Sequence, residues 1–218
     1  MSTFSERTVK QRQPIIAATV LSGTILLSAL LLCSCNSAQT DERTPFHALG
    51  EVGADQVASL LAGKGKIVVV AWDNKSFGSQ SLDAQLDAFR DEAKKTGLNI
   101  VATEFMTPDS PAMLGLNTLS PQQYFDVIYR HSDVDGIVSF IGLPALQDDE
   151  IARLPGRLPK CAVIGVQREQ KLKNLFEHNA LQMAILLRAN PSMSGSPKST
   201  REWFDRYYQI VNSASELP

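Results

Sequence analysis

The run Ile67-Val68-Val69-Val70-Ala71 constrains this chain more than any other stretch. It is continuously apolar and mostly β-branched. The chain enters it through Gly63-Lys64-Gly65-Lys66 and leaves it through Trp72-Asp73-Asn74. A strand with one wet face alternates apolar and polar residues. A run that is apolar at every position reads as a strand covered on both faces, and such strands belong to parallel sheets lying between layers of helix.

The segments on either side fit that demand. Gly53 to Leu61 carries Val57, Leu60 and Leu61 on one helical face, and Gly63 is a C-terminal stop. After a polar loop from Asp73 to Ser81, Leu82, Leu86, Phe89 and Ala93 repeat at helical spacing, and Leu98 to Val101 reads as a second strand. Met106 to Leu119 is irregular and contains Pro108 and Pro111. Ser120-Pro121-Gln122-Gln123 has the cap, the first-turn proline and the reciprocal glutamine of a helix start. Tyr124, Phe125, Ile128 and Tyr129 form its apolar face. Ile137–Ile141, Ala162–Val166 and Met183–Leu187 supply three more strands, separated by helices over Asp148–Leu154 and Glu169–His178. A Pro/Ser/Gly loop then leads to a closing helix, Thr200 to Val211, with Trp203, Phe204, Tyr207 and Tyr208. That segment either packs on its own sheet or docks a partner.

Strands alternating with helices at this spacing imply an α/β fold: a doubly wound parallel sheet of about five strands in a three-layer sandwich. Ligands of such sheets sit beyond the carboxyl ends of the strands. Here that edge is Trp72-Asp73-Asn74, Gly142-Leu143 and Gln167-Arg168.

The chemistry that composition and motifs exclude is broad. The chain has 218 residues, 44% of them hydrophobic, which suits one sizeable core. Its formal net charge of −2 argues against nucleic acid as a partner. The Gly63-Lys64-Gly65 element precedes its strand, the wrong side for a phosphate-binding strand-to-helix turn. No nucleophile elbow is present. His47, His131 and His178 lie far apart, without a second metal ligand at ligand spacing. The expectation is a non-enzyme with no metal and no cofactor. Cys161, at the head of an apolar run, reads as a small buried hydrophobe.

The N-terminus reads as an address. Arg7, Lys10 and Arg12 precede an uncharged apolar run from Ile15 to Cys33, as in a bacterial export signal. Leu32-Cys33-Ser34-Cys35 resembles the lipobox of bacterial lipoproteins, with Cys33 an unusual occupant of the tolerated position. That resemblance implies cleavage after Ser34 and a diacylglycerol on Cys35, which tethers the chain to the envelope by a lipid anchor. The alternative is an uncleaved membrane helix, since the run is near the ~20 residues a bilayer needs. The implied organisation is a signal peptide over residues 1–34, lipidated cysteine and tether over 35–52, an α/β lobe over 53–190, and a loop with an aromatic helix over 191–218.

Taken in order, Val57 to Val70, the Phe89 helix, Leu98-Asn99-Ile100-Val101, Ser132 to Val138, Val163-Ile164-Gly165 and Leu172 to Pro191 resemble one lobe of a type I periplasmic binding protein, the sugar-binding kind used in ABC transport. The resemblance covers roughly residues 53–195. It departs where that family grips its sugar: Leu86 replaces an arginine, Ile141-Gly142 replace a polar pair, Gln167 replaces an aspartate, and a second lobe has no room. The resemblance implies a tethered module for a sugar or small polar solute, with Trp72, Asp73, Asn74, Phe77, Gly142 and Gln167 at the ligand and a transporter or envelope protein as partner. The competing expectation is an envelope interaction or scaffold lipoprotein that kept the fold and lost the pocket.

Overall fold

The computed structural model describes residues 44–73, 79–108, 117–167, 172–192 and 194–217. The elements run α1 (Thr44–Leu60), β1 (Gly65–Trp72), α2 (Gln80–Thr96), β2 (Leu98–Met106), α3 (Pro121–Arg130), β3 (Gly136–Ser139), α4 (Asp148–Ile151), β4 (Lys160–Val166), α5 (Lys173–Glu177), β5 (Met183–Leu187), α6 (Thr200–Tyr207) and β6 (Tyr208–Val211), with a short 3₁₀ turn over Ala214–Glu216. The sheet order is β2-β1-β3-β4-β5-β6. All neighbours are parallel except β5 and β6.

β1 is as buried as its sequence demands. Ile67 through Ala71 are fully excluded from solvent. Ile67, Val69 and Ala71 enter the core formed with α1, α2 and α6, whereas Val68, Val70 and Trp72 enter the core formed with α3, α4 and α5. The result is the three-layer α/β sandwich.

Three elements differ from the sequence expectation. First, the helix expected from Gly53 begins at Thr44, so residues 44–52 belong to the folded unit rather than to a tether. Ala48, Leu49 and Val52 are buried, continuing the helical stripe of Val57 backwards, and Pro45 sits in the first turn, where its missing N–H costs nothing. Second, β2 extends to Met106 and carries a bulge. Ile67 pairs with Ile100 but Val68 with Ala102, which leaves Val101 without an opposite residue. A one-residue bulge switches the faces, so Ile100 packs towards α2 and Ala102 and Met106 pack on the other side. Val101 and Phe105 are left 46% and 52% exposed on this edge strand. Third, the C-terminal aromatic helix stops at Tyr207, and Tyr208–Val211 becomes a sixth, antiparallel strand on β5. Arg188 holds the junction: its backbone N–H donates to Tyr207 O at 2.8 Å and its Nε–H to Tyr208 O at 2.7 Å. The short antiparallel edge closes a sheet that would otherwise expose β5.

The aromatic segment is internal. Phe204 and Tyr208 are buried, and Trp203 and Tyr207 stack with ring centroids 6.0 Å apart. Cys161 is buried beside Tyr124, whose hydroxyl donates to Ala180 O at 3.2 Å, and burial pushes the Cys161 thiol up to about 12.

Two glycines let α1 sit close to its neighbours. A Cβ at Gly50 would lie 2.1 Å from the Gln85 carbonyl oxygen of α2, and one at Gly53 would lie 2.9 Å from Ile164 Cδ1. Gly50→Ala is expected to destabilise the fold by about 1–3 kcal/mol, because backbone atoms on α2 must retreat. Gly156→Ala, where a Cβ meets open space, should stay within about 0.5 kcal/mol of the parent in the same denaturant titration.

Candidate functional site

In the order β2-β1-β3-β4-β5, β1 is flanked by strands reached in opposite directions, so the chain leaves β1 and β3 on opposite sides of one point at the carboxyl edge. What stands there is partly built from the 117–119 segment. Thr118 forms a parallel bridge with Gly142. Gly142 N–H donates to Asn117 O at 2.8 Å, and Leu119 N–H donates to Gly142 O at 2.8 Å. Ser139 sets the bend that delivers Gly142: its Oγ donates to Ile141 O at 2.6 Å and accepts from Ile141 N–H at 3.1 Å.

Asn117 also reaches across to β1. Its Oδ1 accepts the Trp72 indole N–H at 2.7 Å, and Trp72 is only 8% exposed. The Asn117 backbone is left-handed, with φ +47°, a conformation asparagine tolerates better than other residues with a side chain. Asp73 continues the strand pairing by one residue, its N–H donating to Met106 O at 2.9 Å.

Beside this point, towards α1 and α2, lies a cavity of ≈ 290 Å³. Phe46 and Leu49 of α1 form one wall, and Ser79, Ser81, Leu82 and Gln85 form a second at the start of α2. Trp72, Asn117, Phe140, Gly165, Leu187 and Tyr208 complete it. Phe140 is fixed edge-on against Phe89, with centroids 5.4 Å apart. Gly165 has φ +76°, and a Cβ there would sit 2.8 Å from Leu49 Cδ2, so glycine is needed for both conformation and space. Ser79 caps α2, its Oγ accepting from Leu82 N–H at 3.3 Å. Among the described residues that line it, no side chain is charged. Aromatic walls with a few hydroxyl and amide groups suit a small neutral polar solute, and the volume is at the lower end of the ~300–1,000 Å³ typical of ligand sites.

Of the residues singled out by sequence, Trp72 lines the cavity. Gly142 stands next to it through Asn117, and Asp73 and Gln167 lie outside the lining. Asn74, Phe77 and Cys35 lie outside the described residues, as does Arg168. Leu86 is core, 3% exposed. Sequence reasoning missed Phe46 and Leu49, having placed them in a tether, although their spacing to Val52 and Val57 is helical. It also missed Asn117, in a stretch with no period to read, and Tyr208, read as part of a helix. Among the described residues, no cluster of three or more His, Cys, Asp or Glu could hold a metal.

Comparison with known proteins gives fold but not family. No protein-family model and no curated relative matches the chain. Among solved structures, the chain is similar to AraP, an arabinose-binding protein from Geobacillus stearothermophilus, at 14% identity and a TM-score of 0.51, over 79% of this chain and 63% of that one. It is also similar to GanP, a glucose-galactose binding protein from the same organism, at 10% identity and a TM-score of 0.48, over 79% and 61% of the two chains. The chain thus spans less than two thirds of these proteins' length.

Replacing Asn117 by Ala should cost about 1–3 kcal/mol, from the left-handed backbone and the lost indole hydrogen bond together. Asn117→Gly should cost less, because it relieves the backbone part. In a Trp203→Phe background, the remaining Trp72 emission should shift to the red in both.

Proposed function

We propose that this chain is an envelope lipoprotein whose lobe binds a small neutral solute of the sugar class in the cavity at the carboxyl edge of its sheet. The uncharged character of the described residues lining that cavity carries the reading. Trp72, Phe140 and Tyr208 offer aromatic walls, and Asn117, Gln85, Ser79 and Ser81 offer donors and acceptors. A charged ligand would have to shed its hydration there without a counter-charge, whereas a polyhydroxyl solute trades water hydrogen bonds for protein ones. The position agrees with the rule for doubly wound sheets. In this reading Asp73, Gly142 and Gln167, outside the lining, are proposed to contribute to the rim of the site. The chain acts without catalysis. It is exported and held at the envelope through a lipid on Cys35, and hands its solute to, or reports it to, a transporter or another envelope protein.

A second reading, an interaction or scaffold lipoprotein, has one observation in its favour. Val101 and Phe105 are exposed on the outer strand β2, where a partner could seat. The aromatic segment does not add to it, since Phe204 of α6 and Tyr208 of β6 are buried.

A thermal-shift screen of the full chain in neutral detergent, against aldoses, ketoses and polyols, tests the first reading. A true ligand at about 100 times its Kd stabilises by about 2.7 kcal/mol. The shift should disappear in Trp72→Ala and in Gln85→Ala. A flat response across the panel would sink the solute-binding reading. The anchor is tested separately by metabolic labelling with palmitate: Cys33→Ser should keep the label and Cys35→Ser should lose it, and label persisting in Cys35→Ser would refute lipidation at that residue.

A further inference from the structure

The opposite end of the sheet holds a second, larger depression, of ≈ 740 Å³, and its chemistry is the reverse of the first. The parallel strands begin here, so residues at and just before the starts of β1, β3 and β4 are gathered at one edge. They include Lys64, Lys66, Arg157 and Lys160, with Leu61 also in the lining and Asp135 the one carboxylate among the described lining residues. Asp135 is already committed to the backbone. Its Oδ2 accepts from Lys66 N–H at 2.8 Å, its own N–H donates to Lys66 O at 2.9 Å, and its O accepts from Lys160 N–H at 3.0 Å. It therefore ties together the entries of β1, β3 and β4.

None of the four cations has an ion-pair partner among the described residues. Six other cations are each matched to a carboxylate, Arg90 to Asp87, Lys94 to Asp91, Lys95 to Glu92, Arg130 to Glu104, Lys173 to Glu177 and Arg201 to Asp205, whereas Arg188 and Arg206 are held by backbone carbonyls and Arg153 lies over the Phe125 ring. A chain of formal net charge −2 thus gathers an excess of positive charge in one concave place, with no ion pair to these four cations among the described residues. Concavity focuses that field, and like charges held together without a counter-ion gain from an anion that bridges them.

We propose that this depression is a binding site for a phosphate-bearing ligand, a compact group with two or more negative charges. Lysine ammonium groups serve phosphate as point charges, and Arg157 adds a planar fork able to take two oxygens at once. The volume admits a small molecule, and Leu61 offers an apolar contact for whatever carries the phosphate. The site lies at the other end of the strands from the solute cavity and shares no lining residue with it. The same headgroup chemistry is found free in solution and on an anionic lipid.

The test is calorimetric titration of the full chain, in neutral detergent at low ionic strength, with sodium pyrophosphate and separately with dihexanoyl phosphatidic acid kept below its micelle concentration. Saturable binding of pyrophosphate is expected. It should weaken as salt approaches ~0.1 M, where the Debye length is about 10 Å. It should weaken about tenfold or more in Lys64→Gln/Arg157→Gln, whose residues are exposed and whose unfolding midpoint should match the parent. Lys64→Arg/Arg157→Lys should retain it. Binding of pyrophosphate assigns the free anion as the source, and binding of the lipid alone assigns the headgroup. Absence of both, or binding equal in parent and Gln variant, overturns the proposal. Binding confined to a long polyanion such as heparin would overturn it too, in favour of a surface for acidic macromolecules.

Discussion

Everything in this molecule follows from β1 having no wet face. Ile67 to Ala71 send alternate side chains into two cores, and neither core can close unless a layer of helix covers it. The chain supplies those layers in a fixed order. α1, α2 and α6 cover one face and α3, α4 and α5 the other, with the sheet growing outwards from β1 in both directions. Right-handed crossovers then put every strand beginning at one edge and, β6 aside, every strand end at the other. The two cavities described above lie at these two edges, and their chemistry differs because the residues that begin strands differ from those that end them. Lys64, Lys66 and Lys160 stand at the entries; Trp72, Phe140 and Gly142 stand at the exits.

α1 is the element that joins the two edges. Its 17 residues span about 25 Å at 1.5 Å per residue, the height of the sheet. Phe46 and Leu49 at its start line the uncharged cavity, and Leu60 at its end lines the basic depression. Gly50 and Gly53 allow it to approach α2 and β4 closely enough to fill the core without bulky side chains. The wall of the proposed solute site is therefore made by a segment that also sets helix packing.

Much of this architecture was legible in the residues, and the failures have physical causes. The buried strand, the Ser120 capping box and the burial of Cys161 come from local rules that tertiary context did not override. The start of α1 was missed because Gly50 and Gly53 look like breakers. Glycine costs a helix roughly 1 kcal/mol on propensity alone, and only the close approach of Gln85 and Ile164 explains why it is kept. The end of α6 was missed because Trp203, Phe204, Tyr207 and Tyr208 suit helical spacing well. The hydrogen bonds that Arg188 makes to Tyr207 and Tyr208, distant in sequence, draw the chain into a strand at that point.

The site was legible only in outline, because a sheet edge can be named from strand ends whereas a cavity needs the loops between them. Trp72 could be placed, but its partner Asn117 sits in a stretch without periodicity, and the contact spans 45 residues of sequence. The sequence departures from the sugar-binding pattern take on a definite meaning here. Leu86 is core-facing on α2, whereas Gln85, its neighbour on the same helix, lines the cavity. Where the resemblance implies an arginine near this helix, the polar contact available is an amide, one that can both donate and accept but cannot balance a charge. In the proposed solute site, such a lining favours selection by hydrogen-bond geometry and aromatic contact over selection by charge. Under the two proposals made above, the edges of one sheet divide recognition by electrostatics, a neutral solute at the strand ends and an anion at the strand beginnings.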